Sequence, residues 1–172
     1  MPPKAVATIR PATIFGPMTR TVSLIAAVTV LLLTGPAGAQ ASACIGARQP
    51  GSVRLTVIAT ELRNAQGEVA FTLYPDDPKR FLAKKGKLLR ARVPARAPNA
   101  AACFWVSPGH YAVATYHDEN GDRHFNRTLF SIKEGFGFSN DAPTTLGLPS
   151  FEKVRFAVPG NTEIRIRTRY SR

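Results

Sequence analysis

Acidic residues are scarce in this chain: 11 Asp and Glu stand against 23 Lys and Arg, for a formal charge of +12. Cysteine is nearly missing as well. Two residues exclude a zinc site built on paired cysteines. The 3 histidines include no His-Glu-x-x-His pair. They sit at positions 110, 117 and 124, and on a regular strand the odd offset puts His110 and His117 on opposite faces, away from a shared zinc. No Gly-x-Ser-x-Gly elbow occurs, so the usual setting of a hydrolase serine is lacking. The one long apolar run, Val22 to Leu33, is too short to cross a bilayer as a helix.

That run has another use. Arg20 precedes it, and Thr34-Gly35-Pro36 and a string of small residues follow, which is the order of a secretory leader: charged, apolar, cleavable. Residues 1–43 are predicted to be this leader, cleaved after Ala39, Ala41 or Ala43, with Met18 as a second candidate start. Residues 44–172 then form one domain of ordinary size, and the mature protein is predicted to be periplasmic or secreted, with no membrane span. Lys4, Arg10 and Arg20 leave with the leader, so the charge falls to about +9. In an oxidising compartment, Cys44 and Cys103 read as one disulfide. Lipidation of Cys44 is the rival, opposed by Ala41 where a Leu-like residue is wanted.

The excess positive charge is local. Lys79, Arg80, Lys84, Lys85, Lys87, Arg90, Arg92 and Arg96 share a span without a single acid. Such a stretch is either a solvated basic loop and edge strand or a surface for anionic envelope components, such as phosphates or a membrane surface. Export removes cellular nucleic acid from the expected partners.

Alternation dominates the rest. Val53, Leu55, Val57 and Ala59 share one face of a first strand; Val69, Phe71 and Leu73 share one face of a second, and a turn at Asn64–Gly67 suggests that the two form a hairpin. Lys79 to Lys85 suits a short helical turn with Phe81 and Leu82 packed down. Further strands are expected at Leu88–Val93, Cys103–Val106 and His110–His117. A long irregular region follows from Asp118 to about Pro149, then strand or a helical turn over Phe151–Val158. The last strand sets Ile164, Ile166, Thr168 and Tyr170 against Arg165, Arg167 and Arg169. About seven short strands with Pro/Gly turns predict an all-β fold, an antiparallel sandwich of immunoglobulin-like or transthyretin-like type with one long irregular loop.

Chemistry concentrates between Gly109 and Asp141. Asp118, Asn120, Asp122 and Asn126 offer oxygens at alternate positions, the spacing of a calcium loop. Arg123 stands where such a loop wants Gly, and Leu129 where it wants a bidentate Glu, so the competing reading is a turn whose Asp and Asn bond their own backbone. His117 beside Asp118 could serve as an oriented general base in a small hydrolase. Phe136 and Phe138, in Glu134-Gly-Phe-Gly-Phe-Ser-Asn-Asp141, read as lids on the core or as a recognition surface.

These residues carry a resemblance. Pro108, Gly109, Tyr111, Ala112, Val113 and His117–Asn120, then Lys133, Glu134, Gly135, Gly137, Phe138, Ser139 and Asn140, resemble the signature segments of the domain-of-unknown-function 2141 family of exported bacterial proteins. The likeness runs from about Val53 to Tyr170. It departs at Arg123 and Asn126, where the family has Gly and Asp. What it implies is an exported β-rich protein without an assigned reaction, and no catalytic residue. The expected role is noncatalytic binding or structural work at the envelope. The expected site joins His117, Asp118, Glu119, Asn120 and Asp122 to Lys133, Glu134, Ser139 and Asn140, with Glu134 and Asn140 folding back onto the acidic turn. No cofactor is expected, calcium being the alternative through the acidic turn.

Overall fold

The computed structural model describes residues 43–125, 134–144 and 147–170. Residues 1–42 of the predicted leader, Asn126 and Lys133 lie outside them. Eight strands appear in order: β1 (Val53–Thr60), β2 (Glu68–Pro75), β3 (Leu89–Pro94), β4 (Ala100–Val106), β5 (Gly109–Asp118), β6 (Gly135–Phe138), β7 (Phe156–Val158) and β8 (Thr162–Arg167), with a single helical turn α1 (Phe151–Val154) before β7. They make two sheets. One has the order β4-β1-β8; the other runs β3-β2-β5-β6, with β7 paired to the start of β5. The fold is an all-β sandwich.

The alternation seen in the sequence defines the space between the sheets. Leu55, Val57 and Ala59 of β1, Phe104 of β4 and Ile166 of β8 meet Val69, Phe71 and Leu73 of β2 and Val113 of β5, all essentially without solvent exposure. Burying a side chain of this size contributes roughly 1.5–3 kcal/mol, so this layer supplies most of the driving force.

Four expectations need correction. β1 and β2 do not form a hairpin: β1 pairs with β4 and β8, whereas β2 pairs with β3 and β5. The connection through Asn64–Gly67 crosses from one sheet to the other. Both strands need an apolar face turned inward, and facing sheets satisfy this as well as pairing does. Second, β1 and β8 are parallel, whereas the other pairings between the described strands are antiparallel. Third, the region expected to be irregular contains β6, whose backbone also bridges to Arg169 just beyond β8. Fourth, Lys79–Lys85 forms successive turns instead of one helical turn, with Arg80 N–H bonding Asp77 O and Ala83 N–H bonding Arg80 O; Phe81 packs down as expected, but Leu82 is exposed.

The disulfide joins Cys44 to Cys103, 59 residues apart. Beside it, Ile45 exchanges backbone hydrogen bonds with Cys103 and Trp105, tying the N-terminal segment to β4.

A second apolar cluster lies on the outer face of the larger sheet. Ala70, Tyr74, Ala112, Tyr116, Phe136 and Phe138 are joined there by Phe151 and Val154 of α1, with Phe81 and Phe125 packed against them. The sheet is thus covered on both faces, and β2 is buried along its length. Phe136 and Phe138 are lids, on this outer cluster and not on the main core.

Candidate functional site

His117 lies on the inner face at the end of β5, fully buried. Its Nε2 is 2.7 Å from the carbonyl of Gln66, which can only accept, so Nε2 carries the proton. Nδ1, 2.7 Å from the Tyr170 hydroxyl, accepts from it. Burial pushes the Tyr170 phenol up. Both ring nitrogens are occupied, and the imidazole joins the inter-sheet connection to the C-terminal segment. A general base needs a nitrogen open to substrate, so the hydrolase reading has no geometric support here. Ser139 is also buried: its hydroxyl donates to Val154 O and accepts from Val113 N–H, holding α1 against β5.

Glu119 is engaged as well. Arg63 binds both of its carboxylate oxygens, with Nε 2.7 Å from Oε1, and Asn64 adds a bond at 2.6 Å. The Arg63 guanidinium holds the Glu119 carboxyl below the usual glutamate range. A depressed folded-state pKa means that the pair stabilises fully above the ordinary glutamate range and loses its effect as pH falls through the lowered value. The stability difference between wild type and Glu119→Gln should therefore be constant near neutrality and shrink below about pH 4, as read by melting curves across pH. A difference that stayed level down to pH 3 would remove this pair from the acid response.

The acidic turn behaves in part as a self-bonded turn. Asn120 Oδ1 accepts from Asp122 N–H, Asn120 Nδ2 donates to Asp122 Oδ2, and Asp122 Oδ1 accepts from His124 N–H. Asn120 is thus used locally. Asn140 departs further from expectation: its side chain donates to the carbonyls of Lys153 and Arg155 at 3.2 and 2.9 Å, capping α1 far from the turn. Glu134 does fold back. Carboxylate oxygens of Asp118, Asp122 and Glu134 lie within 4.8 Å of one another. Strand register explains this. Glu68 pairs with Asp118, and His117 with Gly135, so one further step sets Glu134 opposite Asp118. Asp118 is fully buried; its Oδ2 takes Arg92 Nη1 at 3.1 Å and Arg123 N–H at 2.8 Å. Arg92 also binds Glu68, Tyr116 and the carbonyl of Arg123.

Sequence reasoning missed a groove of about 340 Å³ on the outer face of the larger sheet. Its floor is a cross-strand row, Arg90–Thr72–Ala114–Phe138, in which small residues occupy the centre. Tyr74 and Tyr116 stand on either side, with Phe125, Phe136, Leu82 and Leu148 around the rim. Ring contacts at 5–6 Å run from Tyr74 through Phe81 and Phe138 to Phe136, Phe125 and Tyr116. Burial pushes both tyrosine hydroxyls up, and the charge of Arg90 works against this at each. Arg90 donates through Nε to Thr72 Oγ1 at 2.9 Å, which fixes the guanidinium at the groove's end. Of the basic span, Arg80, Arg90 and Arg92 are tied to the fold in this way, while Lys79, Lys84, Lys85, Lys87 and Arg96 are exposed.

The sandwich is the scaffold, and residues 57–166 match the DUF2141 family model, described as uncharacterised proteins conserved in bacteria. The chain belongs to that family. No curated protein and no solved structure matches it. Among the described residues, no helix is long and apolar enough to cross a membrane.

Proposed function

We propose that this is an exported, noncatalytic binding module of the periplasm or extracellular space, whose ligand sits in the groove above Thr72 and Ala114. The leader-like N-terminus and the disulfide support the compartment. The observation that carries the binding role is the groove itself: a floor of small side chains, aromatic walls and one fixed guanidinium. Its volume is at the lower end of small-ligand sites. Flat aromatic walls favour a planar or short apolar body, and Arg90 favours an anionic group at one end. The five exposed cations of the basic span extend the positive field beyond Arg90 and would draw an anionic ligand toward this face.

A planar aromatic sulfonate such as 1-anilinonaphthalene-8-sulfonate is a suitable probe. The native protein should bind it saturably at one site by calorimetry. Ala114→Phe, which fills the floor, should abolish binding while the melting temperature stays near wild type. Arg90→Ala should weaken it about tenfold, the loss of one charge-assisted bond. Undiminished binding in Ala114→Phe would sink the assignment, as would no saturable binding at all.

A further inference from the structure

A carboxylate cluster lies at the far end of β5, on the same outer face as the groove and beyond Tyr116. Glu68, Asp118 and Glu134 occupy one cross-strand row, and like charges placed opposite each other destabilise a sheet. Asp122 reaches the same point from the following turn. Arg92 answers the pair Glu68 and Asp118 from one side. A second, independent observation comes from Asp118 itself. The side chain is fully buried, both bonds described for it fall on Oδ2, and Oδ1 has no hydrogen-bond partner. A buried carboxylate oxygen left without a donor is costly, and a missing ion is one of the few physical explanations for it.

From this we infer that Asp118, Asp122 and Glu134 form a calcium site. It differs from the loop-type set predicted from the sequence: Asn120 is used within the turn, and Glu134 enters from the other strand. The donor set is all oxygen, which selects a hard cation. Separation then favours calcium. Ligands on opposite sides of Ca²⁺ lie about 4.6–5.2 Å apart, whereas Mg²⁺ demands about 4.0–4.2 Å. The three oxygens lie within 4.8 Å of one another, inside the span that Ca²⁺ bridges. Asp122 is partly exposed and leaves the ion's outer side to water. Such an ion would give Asp118 Oδ1 its missing partner. It would also clasp the turn after β5 to the start of β6. The site stands independently of the groove reading.

The experiment is thermal melting and calorimetry of the oxidised, chelator-treated protein with millimolar calcium, and with magnesium at the same concentration. Calcium should raise the melting temperature by roughly 5 °C, the size expected for a site filled several-fold above its dissociation constant. Magnesium should give less than half of that. The rise should vanish in Asp122→Asn, at an exposed position of the turn, and in Glu134→Gln. No calcium effect in the wild type, or an undiminished one in Asp122→Asn, overturns the site. An equal response to magnesium overturns the choice of calcium.

Discussion

Gly137→Ala should lower the melting temperature by about 10 °C, corresponding to a loss of about 3 kcal/mol. A Cβ at Gly137 would run into the backbone carbonyl of Arg167 and the Ile166 Cγ2. Neither can give way easily, because Ile166 belongs to the main core and the Arg167 amide is held by Asp141 Oδ1 at 2.8 Å. Gly135→Ala should cost less. The Cβ there would meet the Tyr170 ring and the Thr168 methyl, side-chain atoms that can shift. Its cost should instead show in the bond between Tyr170 and His117, as a changed histidine environment by nuclear magnetic resonance. The contrast tests the origin of the Gly-Phe-Gly-Phe segment: phenylalanines outward onto the aromatic cluster, glycines inward where the C-terminal strand lies too close for any side chain. A Gly137→Ala protein within 1 kcal/mol of wild type by urea denaturation would contradict this account.

The second large effect is expected from the disulfide. Replacing Cys44 and Cys103 together by Ala should reduce stability by about 4 kcal/mol, since the bridge closes a loop across 59 residues and restricts the unfolded chain accordingly. The folded structure should change little, because Ile45 keeps its backbone bonds to Cys103 and Trp105. Urea denaturation of oxidised, reduced and doubly substituted protein measures this directly. A loss below 1 kcal/mol would mean that the Ile45 bridge and the surrounding packing confine the segment without the covalent bond.

The parts of this protein that the sequence made legible are those governed by local alternation. β1, β5 and β8 follow from Leu55–Val57–Ala59, the run after Gly109, and Ile164–Ile166. β6 was hidden because glycine is a poor strand former and its two glycines serve contacts with distant residues, Ile166 to Tyr170. The partnership of β1 with β8 was invisible for a related reason: period-2 patterning tells which side chains face inward, never which strand lies alongside. The acidic turn illustrates the same limit. Asp118 and Asp122 stood out by spacing, whereas Glu134 joins them through cross-strand register. Asn140, which looked like its companion, caps α1 instead. The groove had no linear signature, since Arg90, Thr72, Ala114 and Phe138 come from four strands.

The parallel pairing of β1 with β8 has a consequence for the order of events in folding. β1 is the middle strand of its sheet, yet one of its two neighbours, β8, follows every other described strand. The residue that bonds His117, Tyr170, comes later still. A chain emerging N-terminus first therefore holds nearly every other strand before it can complete its own centre. The smaller sheet closes late, when β8 reaches the free edge of β1.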